Sequence, residues 1–310
     1  MPADDAITLT RVGKRYGRVE AVNDLTLAVP AGEMFGLIGP DGAGKTTTIR
    51  MICGLLRADR GELRVLGVDP MRDHRALTAS IGYLSQRFSL YTDLSIDENV
   101  AFFAEIHGLR DYAARRDRLL ALTGLTPFRG RLAGQLSGGM KQKLALACTL
   151  IHEPRLIVLD EPTTGVDPVS RREFWKLLSE FLSQGITIVM ATPYLDEAER
   201  CARVAFLHDG RLLALDTPAA LRQALPGQLF EVMTVDYRRV PHAVAGMPHV
   251  LSVQLFGERV HVRLDVDGAA AGVDRLTAWL AQAGVESPSI RQVPSSLEDV
   301  FVTRIGALAS

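Results

Sequence analysis

Residues 39–46 read Gly39-Pro40-Asp41-Gly42-Ala43-Gly44-Lys45-Thr46 and meet the pattern G-x-x-x-x-G-K-[ST] at every position. Glycines at this spacing let the backbone fold so that successive N–H groups point at phosphate oxygens. A helix starting there presents its positive end to the same anion. Lys45 adds a point charge at the β- and γ-phosphates, the Thr46 hydroxyl is placed to hold Mg²⁺, and Thr47 belongs to the same cradle. A second group supplies carboxylates. Residues 156–159 form an apolar run that ends in Asp160 and Glu161. Asp160 would hold Mg²⁺, directly or through water, and Glu161 would polarise an attacking water as general base. A third group, Ser137-Gly138-Gly139, opens a helical stretch with a hydroxyl and free backbone donors, which makes a second anion site. One protomer does not need two such sites. The economical explanation is that the second closes over a nucleotide held by another protomer.

The elements that position these groups follow from periodicity. Residues 7–29 read as strands broken by Gly13, Gly17 and Asn23-Asp24, and residues 33–38 are a short apolar strand that leads into the glycine-rich turn. Helices are expected over 46–56, over 95–107 from a capping box at Ser95 and Glu98, over 111–122, over 137–152 and over 168–183, with Pro168 in the first turn of the last. Residues 156–159 and 186–190 are buried strands. Strands alternating with helices imply a mostly parallel sheet covered on both faces. The pattern changes after about residue 226. Residues 250–256 and 260–266 alternate apolar and polar around Gly257-Glu258, a hairpin with one wet face. With strands at 229–235 and 290–293, a short helix near 243 and a helix over 268–283, the tail reads βαββαβ, a ferredoxin-like module.

The chain has 310 residues, 35 Lys and Arg against 36 Asp and Glu, and a formal net charge of -1, so it carries no electrostatic footprint for nucleic acid. Its three cysteines, Cys53, Cys148 and Cys201, match no metal-ligand spacing, and a reducing compartment is expected. The acidic start of the chain has no apolar stretch of the secretory kind. No apolar run approaches the roughly 18 residues of a membrane span. Work at a membrane would need another chain to do the spanning.

The stretch Leu136-Ser137-Gly138-Gly139-Met140-Lys141-Gln142 resembles the signature sequence of ABC ATPases, and residues 7–222 agree with that family in the order and spacing of their motifs. The resemblance implies an α/β P-loop NTPase fold of the ABC-ATPase type. That fold has a mostly parallel sheet core, an antiparallel N-terminal β region and a helical subdomain at about 88–155. It would occupy 1–224, followed by a small α+β module over 225–310. The resemblance further implies that Tyr16 stacks on adenine, that Gln86 is the Q-loop glutamine touching Mg²⁺ and the attacking water, and that Asp167 lies in a D-loop at a dimer interface. ATP and Mg²⁺ are then the cofactors. The partners are a second cassette, as homodimer or heterodimer, and a membrane permease on a separate chain, with no nucleic acid. The place of work is the cytoplasmic face of the inner (plasma) membrane, as a peripheral subunit. Ser296-Leu297-Glu298-Asp299-Val300-Phe301 resembles a C-terminal motif of exporter ATPase subunits, and the tail is expected to be regulatory or dimer-stabilising.

The chain departs from the family where a histidine is usual: Pro193 stands there, in Ala191-Thr192-Pro193-Tyr194-Leu195-Asp196-Glu197-Ala198-Glu199. Proline has no donor for a γ-phosphate. A hydrogen bond to a charged group is worth about 1.5–3 kcal/mol, so its loss would slow hydrolysis by roughly 10- to 100-fold. Asp41 replaces a usual asparagine and is expected to point away from phosphate or be neutralised. Two other functions compete with a transporter ATPase. One is a slow or non-hydrolysing nucleotide-gated regulatory subunit. The other is a soluble ABC ATPase acting off the membrane, which a second cassette or a long coiled coil would mark.

Overall fold

A computed structural model of the chain describes residues 5–86 and 90–309, with side chains described through residue 306. The acidic first residues and the expected start of the helical subdomain near 88 lie outside the described residues. The chain divides into two compact units, 1–215 and 216–310.

In the first unit, β1 (Asp5–Tyr16) and β2 (Val19–Pro30) are long antiparallel partners. Strand β3 (Met34–Ile38) leads through the glycine turn to α1 (Lys45–Ile52). Next come β4 (Arg60–Val65), α2 (His74–Thr78), β5 (Ile81–Leu84), α3 (Ile96–Ile106), α4 (Ala113–Leu122) and α5 (Gly138–Leu150). The unit closes with β6 (Leu156–Asp160), α6 (Pro168–Ser183), β7 (Thr187–Thr192), α7 (Leu195–Ala198), β8 (Arg203–His208) and β9 (Arg211–Asp216). Strands β2-β1-β4 form one antiparallel sheet, and the second sheet has the order β5-β6-β7-β3-β8-β9. Its central pairs are parallel. Strands β3, β6 and β7 are buried along their whole length, as expected of strands covered on both faces.

Parallel strands place their carboxyl ends on one edge, where open α/β sheets bind ligands. The order β6-β7-β3 sets the ends of three neighbours side by side: Ile38 pairs with Thr192, and Asp160 with Ala191. The glycine turn, the two carboxylates and the Pro193 segment therefore leave the sheet next to one another. Local signals set the helix starts. Ser95 Oγ accepts from Glu98 N at 3.2 Å while Glu98 Oε2 accepts from Ser95 N at 2.7 Å, the reciprocal capping box. Ser137 caps α5, and Asp167 caps α6 ahead of Pro168.

The second unit contains α8 (Pro218–Gln223), β10 (Gln228–Met233), α9 (Val240–Val244), β11 (Val250–Phe256), β12 (Arg259–Leu264), α10 (Val266–Ala269), α11 (Gly272–Gln282), β13 (Ser289–Val293) and α12 (Leu297–Ala309). Its antiparallel sheet has the order β11-β12-β10-β13, the ferredoxin-like arrangement of a βαββαβ chain. The division falls earlier than the expected 224/225 because α8 packs against α12 and so belongs to this unit. The single helix expected over 268–283 is two helices. Ala271 sits at φ +56°, and a Cβ on Gly272 would lie 2.3 Å from the Phe230 ring, so only glycine lets α11 start against that ring.

The hairpin's apolar face is packed, and its polar face, expected to be wet, is largely covered as well. Phe230, Val232, Val260, Val262 and Leu264 pack on Leu276 and Leu280. On the other face, Arg263 is only 2% exposed, and His261 Nδ1 lies 2.7 Å from Asp299 Oδ1 of α12. Asp299 also accepts from Ser296 N at 2.8 Å and Ser296 Oγ at 2.6 Å, so the residues of the tail motif cap α12 and tie it to the sheet. Burial works to raise the carboxyl of Asp299, but the hydrogen bonds from His261 and Ser296 outweigh it and hold it below the ordinary carboxylate range. A carboxyl lowered in the folded state contributes stability that is complete above the ordinary value, about 3.9, and is lost as pH falls through the lower folded value. The melting temperature of the wild-type chain is therefore expected to fall faster than that of Asp299→Asn as pH drops from about 5 toward 3. Parallel loss in the two proteins, read by scanning calorimetry, would contradict it.

Candidate functional site

The turn after β3 is built so that backbone, not side chain, faces inward. Gly44 has φ +100°, which glycine alone adopts without strain, and a Cβ there would lie 2.4 Å from the Ala21 carbonyl oxygen. Lys45 is 4% exposed. Its Nζ donates to the Gly39 carbonyl at 2.7 Å and the Pro40 carbonyl at 3.0 Å, and lies 3.8 Å from Glu161 Oε1. Burial pulls its ammonium below the ordinary lysine range, against the charges of Glu161, Asp41 and Asp160. Asp41 is exposed among the residues lining the cleft, and its charge acts on Lys45.

Thr46 Oγ1 donates to Asp160 Oδ1 at 3.1 Å. Burial pushes the Asp160 carboxyl up. The Thr46 bond works against that rise, and the Glu161 charge adds to it. A hydroxyl beside a carboxylate is the oxygen donor set a hard divalent cation takes. Glu161 accepts from Gln86 Nε2 at 3.0 Å and from Thr164 Oγ1 at 3.4 Å. Its backbone has φ +51°, a left-handed conformation costing a non-glycine residue about 1–2 kcal/mol. The Glu161 N–H donates to the Ala191 carbonyl at 2.9 Å, so pairing with the neighbouring strand holds the turn.

These groups open on a cavity of ≈ 680 Å³. Asp41, Gly42, Ala43, Gly44, Lys45, Thr46 and Thr47 line it, with Tyr16 at one side and Gln86 and Glu161 at the other. Gly39 and Pro40 contribute through the carbonyls that hold Lys45. Ser137, Gly138, Gly139 and Asp167 are not among the lining residues, and neither is Pro193. Ser137 and Gly138 are exposed at the tip of α5, with Ser137 Oγ accepting from Met140 N at 3.3 Å. Sequence reasoning missed Glu20 and Asp209, which complete the rim. It also missed the seam where Gly210 N donates to the Ala43 carbonyl at 3.2 Å. The only sequence signal for that seam was the Asp209-Gly210 turn between two apolar runs.

The ABC transporter family profile matches residues 22–164. The chain is 40% identical over 310 residues to the probable multidrug ABC transporter ATP-binding protein YbhF of Escherichia coli K12, covering 98% of this chain and 52% of that protein. It thus spans about half the length of the first curated relatives it matches. It is 34% identical over 307 residues to the daunorubicin resistance ATP-binding protein DrrA3 of Streptomyces coeruleorubidus, covering 98% of this chain and 97% of the relative. Among solved structures, an ATP-binding subunit of an ABC transporter superposes with TM-score 0.65 at 31% identity over 70% of this chain and 92% of its own. The dimeric cassette MJ0796, in a post-hydrolysis state with ADP and Pi, gives 0.62 at 27% over 68% and 98%. The chain belongs to the ABC transporter family of ATP-binding proteins, and its fold is that of the ABC ATPase cassette.

Lys45→Ala removes the one buried ammonium of the cleft. With a charged hydrogen bond worth about 1.5–3 kcal/mol, ATP affinity is expected to fall roughly 10- to 100-fold. Titration with a fluorescent ATP analogue reads this directly, and an unchanged Kd would dissociate the cleft from phosphate binding.

Proposed function

We propose that the chain is the ATP-binding and ATP-hydrolysing subunit of an exporter. It pairs with a second cassette around ATP and powers a permease carried on another chain. The observation that carries this reading is the convergence of Lys45, Thr46, Glu161 and Gln86 on one cleft, with the buried Asp160 hydrogen-bonded to Thr46. The backbone donors of residues 42–46 and the Lys45 ammonium bind the β- and γ-phosphates, and Tyr16, 47% exposed at the cleft wall, stacks on the base. Thr46, Asp160 and Gln86 would hold Mg²⁺, which would supply positive charge to the phosphate oxygens. Glu161 accepts a proton from the attacking water as its oxygen adds to the γ-phosphorus, and the bond from that phosphorus to the β,γ-bridging oxygen breaks, releasing ADP. Ser137, Gly138 and Gly139 sit outside the cleft of their own chain, which supports a role in closing the site of a partner, with Asp167 at the same interface. The same arrangement could close on a second copy or on a sister cassette.

Among the described residues, no helix is long and apolar enough to cross a membrane. A peripheral position on the cytoplasmic face, against a separate permease, accords with that and with the cassette fold. The relatives named as a probable multidrug ABC transporter protein and a daunorubicin resistance protein support export as the direction. The C-terminal unit is assigned to regulation or to stabilising the pair.

Pro193 favours slow turnover within this reading, because it offers no donor to the γ-phosphate. Two measurements test the proposal. In Glu161→Gln, ATP is expected to convert monomer to dimer in size-exclusion chromatography, alone or with a sister cassette. Absence of any ATP-dependent pairing would overturn the sandwich. In Pro193→His, steady-state phosphate release is expected to rise about tenfold, and no rise at unchanged ATP affinity would remove proline as the brake.

A further inference from the structure

Glu197 follows Pro193 closely and lies in α7, where its side chain is 1% exposed. A buried carboxylate costs several kcal/mol unless its oxygens find donors. Both oxygens do. Oε1 accepts from the Thr163 hydroxyl and from Arg171, whose Nε and Nη2 each lie 2.8 Å away. Oε2 accepts from Thr192 Oγ1 at 2.6 Å. The three donors belong to three segments of the chain. Thr163 is in the loop that leaves Glu161. Arg171 is in the first turn of α6, just behind the Asp167 cap. Thr192 ends β7, next to Ala191, whose carbonyl holds the strained Glu161 N–H.

The network extends around position 193. Thr192 Oγ1 accepts from Tyr194 N at 3.1 Å, and the Arg171 guanidinium lies 4.8 Å from the centre of the Tyr194 ring. The backbone on both sides of Pro193 is therefore tied to the carboxylate that also holds the loop of the general base. An ion pair of this kind is a poor source of stability, since well-packed apolar groups serve a core as well or better. What it provides is direction: each bond fixes one segment at a set distance and angle from the others.

We propose that Glu197 is a positioning residue for hydrolysis, one that sets where the Glu161 carboxylate stands by holding residues 161–167, α6 and the end of β7 together. The inference rests on the ATPase reading above. With proline at 193, orientation of the reacting groups depends on this restraint and on the contacts of Glu161 with Gln86 and Thr164.

The experiment uses the full chain with Mg²⁺ and ATP and compares Glu197→Gln, Thr163→Val and Thr192→Val, each alone and in a Glu161→Gln background. A misplacement of about 1 Å costs a reaction on the order of 10²-fold. Each single variant is therefore expected to lower kcat by roughly 10- to 100-fold while the Kd for ATP changes less than about threefold. In the Glu161→Gln background the same substitutions are expected to add no loss to the residual single-turnover rate, because their effect passes through the base. A residue of structural importance only would lower the melting temperature and act equally in both backgrounds. Unchanged kcat in the three singles, or full additivity with Glu161→Gln, overturns the proposal. Should Glu197→Gln fail to fold, the two threonine variants decide by the same criteria. Absence of ATP hydrolysis by the wild-type chain, alone or with a sister cassette, would instead sink the ATPase reading, so the two failures are distinguishable.

Discussion

Lys45 brings a positive charge into a place where burial disfavours it, and the cleft is arranged around that charge. Its ammonium is held by two carbonyls of its own loop and faces the carboxylates of Asp160 and Glu161. In a low-dielectric setting such charges act on one another far more strongly than in water. An arriving polyphosphate offers the ammonium a better partner than neutral carbonyls do. A divalent cation offers the same to the carboxylates. The pocket is thus poised for a ligand carrying negative charge together with a metal.

Holding that arrangement requires backbone in a costly conformation. Glu161 is left-handed, and its N–H is satisfied only because β6 and β7 are parallel neighbours in register. Strain of this kind persists where the surroundings over-determine it. The Glu197 network is the surrounding in question. It joins the loop after Glu161 to α6 and to the end of β7 through hydrogen bonds and the Arg171–Glu197 ion pair. The same physics operates in the C-terminal unit. There Asp299 and the buried Arg263 form a polar layer between sheet and helix, where an apolar layer would have been simpler. Both units use buried charge to fix the geometry of a junction.

Short-range features were legible from residue order. The phosphate loop, the strand ending in two carboxylates, the Ser95 box, the Ser137 and Asp167 caps and the βαββαβ order of the tail each depend on groups a few places apart. Their spacing is a property of the chain, and the structure realises it. The glycine-rich loop was legible for the same reason, since its residues are consecutive in the chain.

Only the tertiary structure decided what joins distant segments. The contact of Gln86 with Glu161, the three-way hold of Glu197, the break of the 268–283 helix at Ala271 and the burial of Arg263 all depend on strand register or on a ring arriving from elsewhere. Periodicity cannot foresee these, because it records which residues face alike and not which neighbour covers them. The sequence alone therefore determined that this protein carries a glycine-rich loop of phosphate-binding pattern, a strand ending in a pair of acids and a serine-capped helix start. Folding decided that the loop and Glu161 line one cleft, with Asp160 bonded to Thr46, and that the helix start does not line it, because those placements follow from which strand lies beside which.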